Sequence, residues 1–269
     1  PSDSGTQPVS GLDTLVLAGG FPTPEEPLYA FTQGGAKVLL PLAGKPMLQW
    51  VLDALTDAPG VGRIVVVGLE EQVATATSHK VVAYAPNAGS LFRNGVAGLA
   101  KLRELGKLTP QVIMCSGDIP LINAEMVEWG IAQCPDPGVD LYHFDVPSAI
   151  METRFPGSRR TFIHFANEDL AGGDFHIIAP DVVDRHADLW NDLLNNRKNA
   201  LKQALRLGPM FFIKLALHRL RVEELERRAL RGFGIHVRVI RSKYAELGMD
   251  VDKPVQLELC RRELEARAA

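Results

Sequence analysis

The sequence predicts an α/β fold, three layers deep with a mostly parallel sheet and a helical insertion near the C-terminal part, and three observations carry that expectation. Apolar, β-branched runs recur along the 269 residues. Helix-period segments stand between several of those runs, which is the pattern of crossover connections and of a largely parallel sheet. From Asp181 to Leu230 the pattern turns mostly helical.

Strands are expected at Thr14 to Ala18, Arg63 to Gly68, Lys80 to Tyr84, Gln111 to Cys115, Val139 to Phe144, Phe175 to Ala179 and Ile235 to Ile240. Helices are expected at Pro46 to Leu55, at Ser90 to Leu105 with Ser90 as N-cap, and at Asn123 to Cys134. Two further helical pieces, Trp190 to Leu207 and Met210 to Leu230, flank Pro209, which breaks any continuous helix there. The last, Pro254 to Arg267, starts on a proline suited to a first turn and carries an apolar stripe of Leu257, Leu259, Cys260 and Leu264. One domain over residues 1–269 is expected, with 181–232 as a helical insertion within it.

Composition narrows the partners. The chain is 46% apolar and 23% charged, with a formal charge of −3. A nucleic-acid-binding domain would carry a basic excess, so phosphate chemistry here has to be local. Three widely spaced cysteines, Cys115, Cys134 and Cys260, form no CxxC pattern and read as buried neutral thiols of a reducing cytosol. Pro1 to Gly11 shows no apolar leader, and no uncharged apolar run reaches membrane-spanning length, so a cytoplasmic protein is expected. The seven histidines are scattered without metal-ligand spacing.

The most informative stretch is Leu17-Ala18-Gly19-Gly20. An apolar strand that runs into two glycines lets backbone amides approach a ligand closely, as phosphate-binding turns require. Lys37 and Lys45 follow across an apolar segment, and cations placed there suit triphosphate oxygens. Further on, Ser116-Gly117-Asp118-Ile119-Pro120 puts a carboxylate just beyond a buried strand. At the carboxyl end of a sheet such a hard oxygen donor suits Mg²⁺ on phosphate oxygens, although Gly-Asp and Pro also simply make a turn.

Leu17-Ala18-Gly19-Gly20 with the later Lys37, Leu39, Pro41 and Gly44-Lys45-Pro46 resembles the signature of the nucleotidyltransferase superfamily, the group of the sugar-1-phosphate nucleotidylyltransferases and the MobA-like transferases. The resemblance implies a Rossmann-like, GT-A-like fold and an enzyme that moves a nucleoside monophosphate from an NTP, CTP or GTP favoured, to a phosphorylated acceptor such as a sugar phosphate. It implies Mg²⁺ (or Mn²⁺) as cofactor. Lys37, Lys45 and Asp118 become the catalytic candidates; Leu17, Ala18, Gly19, Gly20, Lys37, Asn87, Gly89, Ser90 and Asn94 the nucleotide-binding ones. The turn holding Asp250 and Asp252 is similar to one placed beside the metal in several relatives, so both join Asp118 as metal candidates. Asp252 is also a good N-cap for the last helix. Gly173 and Asp174 resemble an acceptor-contacting turn, or equally a hairpin turn, and Arg160 is a candidate for an acceptor phosphate or a solvated loop residue. The chain departs from the family between Phe21 and Ala36, where no basic residue stands in the loop after the glycines. Two alternatives stay open, a glycosyltransferase using a nucleotide sugar and a nucleotide-sensing domain without catalysis. No nucleic-acid partner or transmembrane segment is expected. The apolar helix around 210–220 is expected to pack through Phe211, Phe212, Ile213, Leu215 and Leu217 within the chain or in a homodimer, with a membrane surface as the lesser alternative.

Overall fold

The computed structural model describes residues 11–71, 76–195 and 209–268. Strand β1 (Leu12–Leu17) is central, and its apolar side chains are shut away on both faces, with Leu15 and Val16 fully buried. Burial of each such side chain contributes about 1.5–3 kcal/mol. After β1 come a short helix α1 (Tyr29–Thr32), a tight hairpin of β2 (Pro41–Leu42) and β3 (Lys45–Pro46), and α2 (Met47–Asp57). Then β4 (Val61–Val67), β5 (Val81–Ala85), α3 (Leu91–Glu104), β6 (Val112–Ser116) and α4 (Ala124–Ala132) complete a doubly covered parallel unit. Ser90 and Asn123 cap α3 and α4, accepting from the Arg93 and Met126 amides.

The second half supplies β7 (Leu141–Pro147), α5 (Ser148–Arg154), β8 (Ile163–His164), β9 (Asp169–Ile178), α6 (Pro180–Arg185), α7 (Ala187–Asn195), α8 (Pro209–Ala216), α9 (Val222–Phe233), β10 (Val237–Arg241) and α10 (Pro254–Ala268). The sheet runs β10-β7-β9-β6-β1-β4-β5, with β8 attached to β9. All pairings on that path are parallel except those of β9, which runs against β6 and β7. β9 therefore enters the sheet at the edge where its neighbours leave it. The loops after β1, β4, β5 and β6 all open at that edge, where ligands of open α/β sheets bind.

Four expectations need correction. Gly172, Gly173 and Asp174 do not form a turn that opens a strand; they lie inside the ten-residue β9, where the β7–β9 ladder shifts register between His143 and Asp145. The helix expected over Met210 to Leu230 is two helices, because His218 takes a left-handed conformation (φ 53°) and the chain turns between Ala216 and Val222. Intramolecular burial of the 210–220 helix does not hold for Ile213 and Leu217, which are 48% and 59% exposed, nor for Met210. The Trp190 to Leu207 piece begins earlier, at Ala187, and its part beyond Asn195 lies outside the described residues. Cys115, Cys134 and Cys260 are buried free thiols, as expected. In α10 the predicted stripe faces inward, with Leu257, Cys260 and Leu264 buried against Leu121, Val146 and Met249.

Candidate active site

Backbone proximity builds the glycine-rich end of the crevice. β1 and β4 are adjacent and parallel, so the loops that follow them emerge side by side. Gly68 makes this possible: at φ +101° a Cβ would stand 2.4 Å from Gly19 Cα and N. Gly20 leaves room for the Lys37 side chain, whose Cε a Cβ would approach to 2.8 Å, and its carbonyl accepts from the Lys37 amide at 2.9 Å. The loop after β5 is pinned to the same place. Asn94 Oδ1 accepts from the Ala88 amide at 2.7 Å, Asn87 Oδ1 from the Gly89 amide at 2.9 Å, and Asn87 Nδ2 donates to Gly19 O at 3.4 Å. Leu17, Gly19, Gly20, Asn87, Gly89, Ser90 and Asn94 line one cavity of about 510 Å³, while Ala18 is fully buried beneath it.

Beside this loop cluster stands a set of carboxylates. The Lys37 ammonium lies 2.5 Å from Asp118 Oδ2 and also pairs with Asp252. Burial works against its charge, but the two carboxylates outweigh that and hold the pKa above its usual value. Ser116 Oγ donates to Asp118 Oδ1 at 2.5 Å, and the Val251 amide donates to Asp118 O at 3.0 Å, tying the C-terminal turn to the end of β6. Gln256 Oε1 accepts from the Asp252 and Lys253 amides, so a side chain from the first turn of α10 fixes the turn. Asp250 pairs with Arg160. Arg160 is further committed to Gly172 O at 3.0 Å, with Asp174 4.0 Å away. Burial, together with the nearby Asp118, pushes the Asp174 carboxyl up to about 7.

Most of the predicted residues thus meet in one crevice; Ala18, Gly173, Lys45 and Arg160 do not line it. Lys45 is turned away on the β2–β3 hairpin, paired with Asp53 and lying 3.6 Å over the Trp50 ring, and it does not line the cavity. Arg160 is the largely buried counter-ion of Asp250, so a solvated loop residue is not what it is. Sequence reasoning missed Gly68, Ser116, His143 and His176. A lone glycine ending a strand was the available signal for the first; the histidines carry no motif.

Four aspartates, Asp118, Asp174, Asp250 and Asp252, face two cations, Lys37 and Arg160. With Asp174 ionised the cluster holds a net double negative charge, which suits a divalent cation. Among the described residues no three His, Cys, Asp or Glu side chains form a metal cage by themselves. Mg²⁺ is usually held by one or two carboxylates together with substrate phosphates. Asp118 and Asp252, joined by the one ammonium, could hold such an ion.

A glycine cradle at the carboxyl edge of a mostly parallel sheet, backed by a lysine and strand-end carboxylates, defines a nucleotidyltransferase. The chain belongs to the family described as MobA-like NTP transferase domain, whose profile matches residues 14–150. It is similar to a hypothetical transferase from Thermus thermophilus, 30% identical, with a TM-score of 0.77 over 92% of this chain and 99% of that one. A 3-deoxy-manno-octulosonate cytidylyltransferase from Geotalea uraniireducens is 24% identical over 86% of this chain and 93% of its own. A CMP:2-keto-3-deoxy-manno-octonic acid synthetase solved with CTP shares the fold at 18% identity, with a TM-score of 0.60 over 97% of this chain and 100% of that one. The bifunctional protein GlmU of an Exiguobacterium matches at 38% identity over 34% of this chain, and the match spans only 20% of that larger protein.

Proposed function

We propose that the protein transfers a nucleoside monophosphate from an NTP to an oxygen of a small acceptor, with CTP favoured over GTP, Mg²⁺ (or Mn²⁺) required and pyrophosphate released. The observation that carries this is the Lys37 ammonium held between Asp118 and Asp252 beside the Gly19-Gly20 loop. The preference for CTP rests on the likeness to a cytidylyltransferase and to a synthetase solved with CTP. A phosphorylated acceptor remains the expectation for the attacking group. Arg160, however, is taken up by Asp250 and Gly172, so Asp174 and the cation-bearing cluster are the groups left to meet it.

Asp118 and Asp252 would hold Mg²⁺, which supplies positive charge to the phosphate oxygens. The chain's own part is positioning and charge. The Gly19 and Gly20 backbone receives the phosphates, and no loop arginine competes for them. Lys37, the sole Lys or Arg among the described residues lining the cavity, offsets charge that develops on the transferring phosphoryl group. An acceptor oxygen attacks the α-phosphorus, the new O–P bond forms as the bond to the bridging oxygen breaks, and pyrophosphate leaves. No side-chain nucleophile takes part, and among the described residues no helix is long and apolar enough to cross a membrane. The proposal is tested by measuring pyrophosphate release with the four NTPs against sugar, alditol and lipid-precursor phosphates, with Mg²⁺ and with EDTA. No release with any pair in Mg²⁺, or full release in EDTA, counts against it.

A further inference from the structure

Away from the crevice, the segment from α8 to α9 turns apolar and basic side chains outward together. Met210, Ile213 and Leu217 stand at i, i+3 and i+7 and so share one face of α8, the Leu217 amide extending the helical ladder by donating to Ile213 O at 3.0 Å. All three are exposed. Phe211 and Leu215, on the opposite side, are half-buried, so the helix is held by one apolar face and leaves a second in water. A contiguous apolar stripe of that kind marks a contact surface.

The unpaired charges around this stripe are of one sign. Lys214, on its flank, donates to Glu224 Oε2 at 2.6 Å and thereby sets α8 beside the face of α9 that holds Glu224. Arg227, Arg228 and Arg231 follow Glu224 at i+3, i+4 and i+7 on that same face, and all three are exposed. In the turn between the helices Leu220 is buried, its carbonyl accepting from the Ala166 amide at 2.8 Å, while Arg219 and Arg221 on either side of it are exposed. The carboxylates nearby are used within the fold. Glu223 accepts from Arg241 at 3.1 Å, Glu224 from Lys214, and Glu226 from the Val239 amide at 2.8 Å. Residues 196–208, which precede α8 in the chain, contain no acidic residue. These five arginines form no ion pair with a described residue, although the chain as a whole carries a formal charge of −3.

A second copy of the chain is a poor occupant, because a two-fold contact would lay the arginines of one copy against those of the other. A bilayer surface meets both parts at once, since apolar side chains enter the boundary between headgroups and acyl chains while cations meet anionic headgroups. We propose that the α8–α9 surface docks on an anionic phospholipid bilayer, with the Met210, Ile213 and Leu217 stripe entering that boundary and the five arginines on the headgroups. No residue of this surface lines the crevice, so docking and nucleotidyl transfer can be tested apart.

The test is co-sedimentation of the full chain with vesicles of phosphatidylcholine alone and with vesicles that also hold phosphatidylserine. The parent is expected to bind the mixed vesicles on the order of tenfold tighter than the neutral ones at about 0.1 M salt, and to lose most of that gain at about 1 M. Arg227→Gln, Arg228→Gln and Arg231→Gln together should bring binding of the mixed vesicles down on the order of tenfold. Met210→Ser, Ile213→Ser and Leu217→Ser together should weaken binding to both kinds of vesicle about fivefold or more. Both sets change exposed side chains, so melting temperatures should match the parent. If either set melts lower, the single changes Arg228→Gln and Ile213→Ser are used in its place, each with an expected loss of about threefold. Four results would overturn the proposal. They are no binding of the parent to the mixed vesicles, equal binding to both kinds, undiminished binding in either variant set, and a parent dimer in light scattering that the serine changes turn into a monomer. The last would give the stripe to a second copy. Retention on heparin without vesicle binding would likewise give the arginines to a soluble polyanion and sink the bilayer.

Discussion

The two ends of the crevice are made from different material. At the nucleotide end the loops after β1, β4 and β5 touch through glycines and backbone amides, and side chains such as Asn87 and Asn94 serve to hold those loops together. At the inner end the surface consists of side chains standing on β6, β7 and β9 and on two helices. On the proposed function a ligand part common to many substrates, a triphosphate, would be met by backbone, which all residues share. A part that varies would be met by side chains, which can be exchanged without moving the chain.

Asp118→Asn should break the nucleotide end most completely. A drop in kcat on the order of a thousandfold is expected in a pyrophosphate-release assay, with little change in melting temperature, because the group faces the ligand. Near-normal turnover would show that the metal and phosphates are held elsewhere. Lys37→Ala removes the cation between the carboxylates and should cost about a hundredfold in kcat. It also leaves Asp118 and Asp252 facing one another, so the metal-free variant should melt lower and recover when Mg²⁺ and CTP are added.

Gly68→Ala sharpens the role of backbone contact. A methyl group there meets Gly19 backbone at 2.4 Å in a left-handed conformation, so about 1–3 kcal/mol of stability and about tenfold in CTP affinity should be lost. Calorimetric titration with CTP checks this, and an unchanged affinity would show that the two loops are free to part.

Asp174→Asn addresses the boundary between the ends. The carboxyl rises from its usual 3.8 to about 7 in the fold, so the folded state binds this proton more tightly than the unfolded chain does. Stability is therefore lost as pH rises from about 4 through 7, on the order of a few kcal/mol. In EDTA the variant should melt with the parent near pH 4 and several degrees above it at pH 8. Equal melting at both pH values would mean that Asp174 is not buried as described. The smallest effect is expected from Lys45→Ala. Its pair with Asp53 is partly solvated and worth about 1 kcal/mol or less, and turnover should stay within about threefold. A loss matching that of Lys37→Ala would bring Lys45 back to the phosphates.

The same contrast explains how far the sequence could be read. All strands of the central sheet except the exposed two-residue β8 follow from apolar runs, although only the second half of β9 does, since a sheet covered on both faces demands such runs. Gly19, Gly20, Lys37, Asp118 and Asp252, which line one cavity, were legible as a group because close backbone approach and phosphate chemistry restrict the residue types at fixed places. Lys45 was misjudged because spacing gives no direction, and the hairpin turns it toward Asp53. Gly173 and Asp174 read as a turn, since two glycines suggest one, yet they lie within β9 at its register shift, between Gly172 paired to Asp145 and Phe175 paired to Cys115. His143 and His176 are 33 positions apart and meet only because β9 runs antiparallel to β7. No local pattern announces that pairing.

The antiparallel course of β9 has a further consequence for how such a chain can change over time. β9 and β10 both lie against β7, so the sheet closes around the segment from α6 to α9 whatever that segment contains. Doubling the length of a connection between fixed ends costs only about 0.6 kcal/mol. Insertions and deletions there are cheap for the sheet and do not disturb the glycine cradle on its other half. Because α6 and α7 from this same segment wall the far end of the cavity, the part of the gene most tolerant of alteration is also the part that shapes that end.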